Sequence, residues 1–164
     1  MKLQSLIPND LTLVHTGIVC SDMALAKERL GRVLDVHWVG GELENWSLIL
    51  YGSPITIPLR IAHASNGQAH FELIEAVQDT PWVTTDSIAQ HHLCFHSSAP
   101  EKSVGTLEKL GFERIMGANG DPNGYFQDPS GLLVEIIDDT LLAYLEEYYR
   151  LSIEGSDGEK LFSE

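Results

Sequence analysis

The stretch HTGIVCSDMALAKERLGRVLDVHWVG, residues 15–40, is followed 77 positions later by HLCFHSSAPEKSVGTLEKLGFERIMG, residues 92–117, and the two align without a gap. Each copy contains, in the same order, a strand that carries a histidine, a polar cap, an amphipathic helix, a second strand and a glycine. An internal repeat of this size predicts two copies of one structural module. The repeat therefore decides the fold class before any single motif is considered.

Each copy opens with a strand whose side chains alternate between two faces. In the first copy Ile18 and Cys20 share one face and His15 lies on the other. In the second copy Leu93 and Phe95 oppose the polar face, which carries His92, Cys94 and His96. One face of each strand is therefore expected to pack against a helix, while the other carries the polar groups.

An amphipathic helix is predicted after each of these strands. In the first copy its apolar stripe begins behind a Ser21-Asp22 cap and contains Ala26, Leu30, Val33 and Leu34. In the second copy Ser98-Ala99-Pro100-Glu101 matches the capping-box pattern, in which the Ser and Glu side chains satisfy free N–H groups of the first turn. The stripe that follows contains Val104, Leu107 and Leu110, and Gly111 is expected to end the helix.

Three further strands are predicted in each copy. The first copy offers four candidates, three of which must form the set: residues 35–39, 46–51, 59–63 and 68–77. The second copy offers residues 113–116, 124–126 and 132–137, and residues 139–151 are predicted to form a C-terminal helix. The order βαβββ–βαβββ predicts an α+β fold in which two modules form a curved mixed-sheet cup with helices outside.

The length of 164 residues suits a single domain, which we expect to span residues 1–151. Module 1 is expected over about 12–78 and module 2 over about 89–138. The C-terminal helix, 139–151, completes the domain, and residues 152–164 are expected to form a tail.

Composition excludes several classes of function. A net charge of −14 with only ten Lys and Arg residues argues against nucleic-acid binding, which requires a basic patch. No apolar run approaches 18 residues and the N-terminus lacks the features of a signal peptide, so we expect no membrane association and a cytoplasmic location. Cys20 and Cys94 lack CxxC spacing and are expected to be reduced thiols.

Four metal-ligand residues sit inside apolar runs, which read LTLVHTGIV, AHFELIEAV, QHHLCFH and GLLVEIID. They are His15, Glu72, His92 and Glu135. Burying an unpaired carboxylate costs several kcal/mol or forces it to take up a proton. One shared divalent ion would account for all four residues. Two imidazoles and two carboxylates suit an octahedral ion with two open positions, that is Ni, Co, Mn, Fe or Zn.

Neighbouring histidines leave alternatives open. His70 shares strand parity with Glu72 and could replace it as a ligand or lie beside it, whereas parity places His91 on the face opposite His92. His37 and His63 are expected at surface positions. The residues expected to line the cavity are His70, Cys94, His96, Trp38, Trp46, Tyr125 and Phe126.

Over roughly residues 12–138 the chain resembles the vicinal oxygen chelate superfamily, which has the glyoxalase/bleomycin resistance/dioxygenase fold. The matching segments are LVHTGIVCSDMALAKERLGRVL, HFELIEAV, QHHLCFH and GYFQDPSGLLVEIID, the last with a distinctive D-P-x-G-x-x-x-E spacing. The chain is most similar to methylmalonyl-CoA epimerase-like and lactoylglutathione lyase-like members. The resemblance implies metal ligands at His15, Glu72, His92 and Glu135. The C-terminal helix departs from the minimal family pattern.

The resemblance implies an isomerase, epimerase or lyase that abstracts a proton next to a carbonyl and stabilises the enolate with the metal. Glu135 would carry the proton, with Glu72 as its partner on the opposite side. The substrate would be a small carbonyl compound: a CoA thioester, a glutathione adduct, or a smaller and more apolar molecule. We also expect a homodimer.

Two other functions compete with this interpretation. A non-haem iron dioxygenase would use His15, His92 and Glu135 alone and would have no need of Glu72. A non-enzymatic protein of the resistance type would hold a small molecule in the cup without metal. Fold-level analogy cannot choose between these chemistries, so the geometry of the site must.

Overall fold

Eight strands and three helices make up residues 11–157, the part of the chain that the computed structural model describes. In chain order they are β1 (Thr12–Cys20), α1 (Met23–Leu34), β2 (Val39–Leu50), β3 (Ser53–Ser65), β4 (His70–Glu75), β5 (Ile88–His96), α2 (Pro100–Lys109), β6 (Glu113–Gly117), β7 (Gly124–Gln127), β8 (Leu133–Ile137) and α3 (Asp139–Glu154).

The strands close into one barrel with the order β1-β4-β3-β2-β6-β7-β8-β5. In each module the first strand runs parallel to the last, β1 with β4 and β5 with β8, and the other pairs are antiparallel. The two modules join within the one chain, through β1 with β5 and β2 with β6. The predicted α+β class, with a mixed sheet curving into a cup, is confirmed. Closure also pairs every strand of the barrel on both sides.

The helix starts follow local capping chemistry, with one difference from expectation. Asp22 caps α1 as predicted, because its side chain accepts a hydrogen bond from the Leu25 N–H at 2.9 Å. The capping box predicted for α2 is wrong: Ala99 is the N-cap and makes no side-chain cap bond. Pro100 occupies the first turn, where its fixed backbone angle and missing N–H are tolerated. Ser97 instead accepts from the Ala99 N–H at 3.1 Å.

Two predicted segments differ from expectation in their secondary structure. Residues 35–39 do not form a strand, because α1 ends at Asp35 in the left-handed conformation (φ 54°) and regular pairing starts only at Val39. At the C-terminus α3 continues to Glu154, so residues 152–154, which the sequence assigned to the tail, are helical. Gly155, with φ 66°, ends that helix. The rest of the predicted tail, from residue 158, lies outside the described residues.

The two faces of the strands pack against different partners. Outside the barrel, α1 covers Ile18, Cys20 and Leu73, and α2 covers a second cluster that contains Phe126, Val134 and Ile136. Inside, apolar side chains that include Val19, Ile74, Trp82 and Met116 fill one end of the barrel. The polar side chains of the inner face therefore lie in the part of the barrel interior that this apolar cluster does not fill.

The third helix packs mainly against β3 and joins the barrel through a separate cluster. Leu145 and Tyr149 pack with Val14, Cys94 and Ile137. Ser152 anchors the last turn, because its hydroxyl accepts a hydrogen bond from the Ser65 N–H at 2.9 Å and donates to the His37 carbonyl. Among the described residues, no helix is long and apolar enough to cross a membrane.

Replacing glycine by alanine is expected to change the free energy of unfolding in opposite directions at Gly40 and at Gly105. A Cβ at Gly40 would overlap the Ile61 carbonyl and the Ala62 backbone on the adjacent strand, so β2 and β3 would have to separate. A Cβ at Gly105, inside α2, meets nothing within 4 Å. We expect Gly40→Ala to lower the free energy of unfolding by at least about 2 kcal/mol. Gly105→Ala should raise it by roughly 0.5–1 kcal/mol, because alanine is the better helix former.

Urea denaturation followed by circular dichroism measures both effects on proteins prepared in parallel. Equal denaturation midpoints for the two variants would contradict the packing described here for β2 and β3.

Candidate metal centre

Strand register places the ligand-type side chains on the inner face of the barrel. Gly17 of β1 lies opposite Glu72 of β4 on one side and His92 of β5 on the other. One step along the barrel, Cys94 lies opposite His15 of β1 and Glu135 of β8. Directly opposed residues share a face of the sheet. Two neighbouring rows of side chains therefore bring the two imidazoles and two carboxylates together.

Four ligand atoms converge on one point: His15 Nε2, His92 Nε2, Glu72 Oε2 and Glu135 Oε2 all lie within 4.8 Å of one another. The two imidazole nitrogens are 3.4 Å apart. His92 Nε2 lies 3.3 Å from Glu72 Oε2 and 3.5 Å from Glu135 Oε2. Ligands that share one ion at about 2.1 Å stand roughly 3.0–3.4 Å apart at neighbouring positions. The four atoms are thus spaced to hold one ion after small adjustments.

The two carboxylates supply a second test of whether an ion fits. Glu72 Oε2 and Glu135 Oε2 are buried and have no hydrogen-bond partner. Burial would raise the pKa of both groups, but His15 and His92 more than offset it and hold both pKa values below the ordinary range. Two charged carboxylates therefore lie in the same cluster, and each has an oxygen whose lone pairs accept no hydrogen bond. A divalent cation balances both charges, so the donor set fits such an ion.

A chain of hydrogen bonds orients His92. The Pro81 carbonyl can only accept, so His91 donates to it through Nε2–H at 2.8 Å. Burial and the neighbouring His92 lower the pKa of His91, which keeps it neutral and leaves its Nδ1 as an acceptor. His92 Nδ1 lies 3.0 Å from that atom and donates its proton there. A His92 that binds a metal must be neutral, and its lone pair would then be on Nε2, which faces the carboxylates.

The other imidazole is oriented by the C-terminal helix. His15 Nδ1 lies 2.9 Å from the hydroxyl of Tyr149, on α3, so that Nε2 points to the convergence of ligand atoms. The Tyr149 ring stacks on His70 with centroids 4.2 Å apart. His70, which the sequence offered as an alternative ligand, is therefore beside the site and outside the four-atom cluster. Its Nδ1 lies 2.9 Å from the Ser65 hydroxyl.

Sequence reasoning gave His91 no part in the site. Strict alternation placed it on the opposite face, but β5 contains a bulge here: Gly17 pairs with His92, whereas Ile18 pairs with Gln90. His91 is the extra residue of that bulge, which redirects its ring toward its neighbour. The adjacent HH pair was the only sequence signal, and alternation alone could not detect the bulge.

The expectation for His63 was wrong. It is 3% exposed, lies opposite Glu72 in the register of β3 with β4, and places Nδ1 4.0 Å from Glu72 Oε1. That nitrogen has no hydrogen-bond partner. Burial outweighs the attraction of Glu72 and lowers the pKa of His63 to about 4, so the ring is neutral at pH 7. By contrast His37 lies at the surface and pairs with Asp157 at 3.0 Å.

The remaining candidates divide between the inside and the outside of the barrel. Cys94 is buried between His15 and Glu135, and burial together with the carboxylates of Glu135 and Glu72 raises its thiol pKa well above the ordinary value. His96, expected in the cavity, instead pairs with Asp139 at 2.6 Å at the end of β5. Trp38 and Phe126 were also expected in the cavity, but they pack on the helix side, in the α1 and α2 clusters respectively.

Two adjoining cavities lie against the ligand cluster. The inner cavity, of about 180 Å³, is lined by His63, Glu72 and Glu135 and by a ring of apolar side chains. The outer cavity, of about 490 Å³, also contacts Glu135. Both are lined by Trp46, Tyr125, Leu141 and Tyr144. Of the predicted wall residues, the structure thus places Trp46 and Tyr125 beside the candidate centre.

Comparison with known proteins gives a family match and a set of similar folds. The family model described as Glyoxalase/Bleomycin resistance protein/Dioxygenase superfamily matches residues 14–126. No protein with a curated description matches the sequence.

Solved structures match the fold at low sequence identity. A hypothetical protein from Bacillus halodurans is 16% identical with a TM-score of 0.58, covering 80% of this chain and 96% of that one. Methylmalonyl-CoA epimerase from Mycobacterium tuberculosis is 16% identical with a TM-score of 0.52, covering 87% and 97%. A methylmalonyl-CoA epimerase in complex with methylmalonyl-CoA and NH4+ is 14% identical with a TM-score of 0.50, covering 79% and 95%. These structures share the fold with this chain.

The space for the His92 ring depends on Gly17. A Cβ at position 17 would overlap the imidazole of His92, so the ring would have to leave its place beside the carboxylates. We expect Gly17→Ala to weaken binding of Ni²⁺ by at least tenfold while the barrel remains folded, because one of four ligands is displaced. Competition with a chelating dye measures the affinity, and circular dichroism checks the fold. Gly105→Ala serves as the control, and wild-type affinity in Gly17→Ala would refute this role.

The Tyr149 hydroxyl predicts a second effect on metal binding. Tyr149→Phe keeps the ring that stacks on His70 but removes the partner of His15 Nδ1. Loss of such an orienting hydrogen bond typically costs 10- to 100-fold in metal affinity, and we expect about tenfold here. Tyr144→Phe is the matched control, since it removes a hydroxyl of the same helix that bonds to Tyr148 at 2.7 Å. Equal Ni²⁺ affinity in the two variants would contradict the orienting role of Tyr149.

Proposed function

The chain belongs to the glyoxalase/bleomycin resistance protein/dioxygenase superfamily, and on that premise we propose that it is a metal-dependent isomerase, epimerase or lyase. The reaction moves a proton at a carbon next to a carbonyl group. One observation carries the proposal: two imidazole nitrogens and two buried, unpartnered carboxylate oxygens converge within 4.8 Å at the side of the inner cavity.

In this proposal His15, Glu72, His92 and Glu135 hold the divalent ion. When bound, the ion supplies Lewis-acid stabilisation of the negative charge that develops on a carbonyl oxygen as the neighbouring C–H bond breaks. The protein itself orients the two imidazoles so that Nε2 faces the cluster. Tyr149 holds the ring of His15, and His91 accepts the Nδ1–H of His92, which leaves Nε2 of His92 as its ligand atom. The protein therefore supplies a ligand set whose orientation is fixed before the substrate arrives.

Glu135 is the residue best placed to carry the proton. It lines both the inner and the outer cavity, whereas Glu72 lines the inner cavity alone. Its low pKa keeps it charged at neutral pH, which is the state that accepts a proton. In the proposed reaction the Glu135 carboxylate, displaced from its ligand position by the substrate, takes the proton from the carbon next to the carbonyl and returns it to the product. Glu72, the other carboxylate of the cluster, would remain a ligand while the proton moves.

The four-residue ligand set favours this chemistry over the two alternatives. A dioxygenase site needs two His residues and one carboxylate, and a second buried carboxylate would then be a cost without a role. A protein that only sequesters a small molecule gains nothing from two unpartnered carboxylates at the side of its cavity. Proton abstraction next to a carbonyl uses both carboxylates and both imidazoles.

Glu135→Gln tests the proposed proton transfer. The amide keeps the shape of the side chain but cannot accept the proton, so we expect exchange to fall at least 100-fold. The assay follows uptake of solvent deuterium into hydroxyacetone by NMR, with Ni²⁺-loaded protein. Glu146→Gln, an exposed change on α3, is the control and should exchange at the wild-type rate.

Two results would overturn the proposal. One is a Glu135→Gln variant that exchanges as fast as the wild type. The other is a wild-type protein that exchanges no faster than Ni²⁺ alone.

A further inference from the structure

We infer that the substrate is a compact, largely apolar carbonyl compound that carries no phosphate group, and that α3 supplies the wall that selects it. The inference rests on the proposed function, because it assigns the substrate class of the same site. It departs from the substrate named for the structural neighbour, the CoA thioester methylmalonyl-CoA. The lining of the two cavities, their size and the charges around them support it.

The lining of the inner cavity is polar on one side only. His63, Glu72 and Glu135 form that side, and the rest is mainly apolar, with the stacked rings of Trp46 and Trp82 5.5 Å apart. Tyr125 packs edge-on against Trp82 and also lines the cavity. A ligand with a polar, oxygen-bearing end and an apolar body matches this division. Its body would replace water against aromatic and aliphatic surface, which favours binding.

The size of the inner cavity favours a compact molecule. Its volume of about 180 Å³ lies below the range of roughly 300–1,000 Å³ typical of drug-sized ligands. The outer cavity, of about 490 Å³, adds space at its mouth, between Trp46, Tyr144 and the loop that contains Asn123. The reacting end of a ligand beside Glu135 therefore has room for about one ring or a short branched chain before it meets the mouth.

The charges around the cavities exclude recognition of phosphate. No Lys or Arg of residues 11–157 lines either cavity, whereas Asp121 and Asp138 both line the outer one. Arg114 lies beside Gly117 and Gly124 of the outer cavity, and its guanidinium donates to the carbonyls of Ala118 and Asn123 and so braces the loop. Binding of a phosphate group needs Arg, Lys or an uncapped helix N-terminus directed at it. The N-terminus of α3 reaches the outer cavity, but it is capped by the Asp138 carboxylate, which accepts from the Leu141 N–H at 2.9 Å. A nucleotide tail would instead meet carboxylates at the mouth.

The remaining described arginines that form ion pairs do so away from the cavities. Arg60 pairs with Glu42 and Glu75, and Arg32 pairs with Glu28 within α1. Arg150 pairs with Glu147 and Glu154 on α3. Their guanidinium groups are held by carboxylates of the surface, so they do not form a phosphate site at the cavity mouth.

The C-terminal helix makes one side of the cavity. Leu141, Tyr144 and Leu145 of α3 line the inner space, and Leu141 and Tyr144 also line the outer one. One turn farther along the same helix, Tyr149 contacts His15. Helix α3 thus fixes both a metal-ligand candidate and the apolar wall, which makes Leu141 the residue with the strongest expected influence on ligand size.

Two pairs of probes test the inference on Ni²⁺-loaded protein by isothermal titration calorimetry. Benzohydroxamate and acetohydroxamate share the same pair of oxygen donors and differ in the apolar body. We expect benzohydroxamate to bind at least tenfold more tightly, because its ring is buried in the cavity. Propionyl-CoA and its nucleotide-free counterpart, propionyl-N-acetylcysteamine, share the acyl thioester. We expect the nucleotide to give no gain in affinity.

A variant links the preference to α3. Leu141→Trp fills part of both cavities and should weaken benzohydroxamate at least tenfold while acetohydroxamate changes less than threefold. Val33→Trp, at a position of α1 that is 80% exposed, is the control and should bind both probes as the wild type does. If Leu141→Trp does not fold, Leu141→Phe replaces it. In that variant too, we expect the affinity for benzohydroxamate to fall more than the affinity for acetohydroxamate.

The outcomes separate this inference from the proposed function. Absence of stoichiometric Ni²⁺ binding by the wild type would overturn both. Two results obtained with a protein that does bind Ni²⁺ would overturn only the substrate class. One is an equal affinity for the two hydroxamates, and the other is a tenfold higher affinity for propionyl-CoA than for its nucleotide-free counterpart. An unchanged benzohydroxamate affinity in a folded Leu141 variant would overturn the role of α3.

Discussion

The interaction on which the candidate site depends is the meeting of two buried carboxylates with two imidazoles inside a closed barrel. Glu72 and Glu135 each carry an oxygen without a hydrogen-bond partner, although both groups stay ionised. Burial lowers the pKa of His92, but the two carboxylates raise it to about 9, so a protonated imidazole offsets part of their charge in the metal-free protein. A dication would offset all of it. The energetic cost of this arrangement is hard to explain by stability alone, because apolar side chains of similar volume would fill the same space more favourably.

The barrel meets this constraint through strand register and one small residue. Parallel pairing within each module and antiparallel pairing between modules place His15, Cys94 and Glu135 in one row, and Glu72, Gly17 and His92 in the next. Gly17 has no side chain at the place where the His92 ring lies. The ring of His92 therefore fits into this row beside Glu72. The repeat supplies the two imidazoles at equivalent positions of β1 and β5, and the last strand of each module supplies a carboxylate.

Much of the architecture follows from the sequence, because it depends on local periodicity and on the repeat. The alternation around His15 and Ile18 predicted which face meets a helix, and the two copies predicted the α+β cup. What local patterns could not give is pairing between strands. His63 was placed at the surface because its position opposite Glu72 exists only once β3 pairs with β4. His91 was placed on the wrong face because a bulge depends on how β1 and β5 meet, and not on either strand alone.

The C-terminal helix shows why a feature that departs from the family pattern can be informative. Its sequence, with Leu141, Tyr144, Leu145 and Tyr149 at helical spacing, is typical of a helix that buries one apolar side. Only the structure shows that this side faces the cavity and that Tyr149 reaches His15. Because a single rigid helix orients a ligand and forms the wall, changes in the wall that shift the helix would also disturb the candidate metal centre. Ligand size and metal affinity are therefore coupled through α3, whereas in a barrel without this helix they could vary independently.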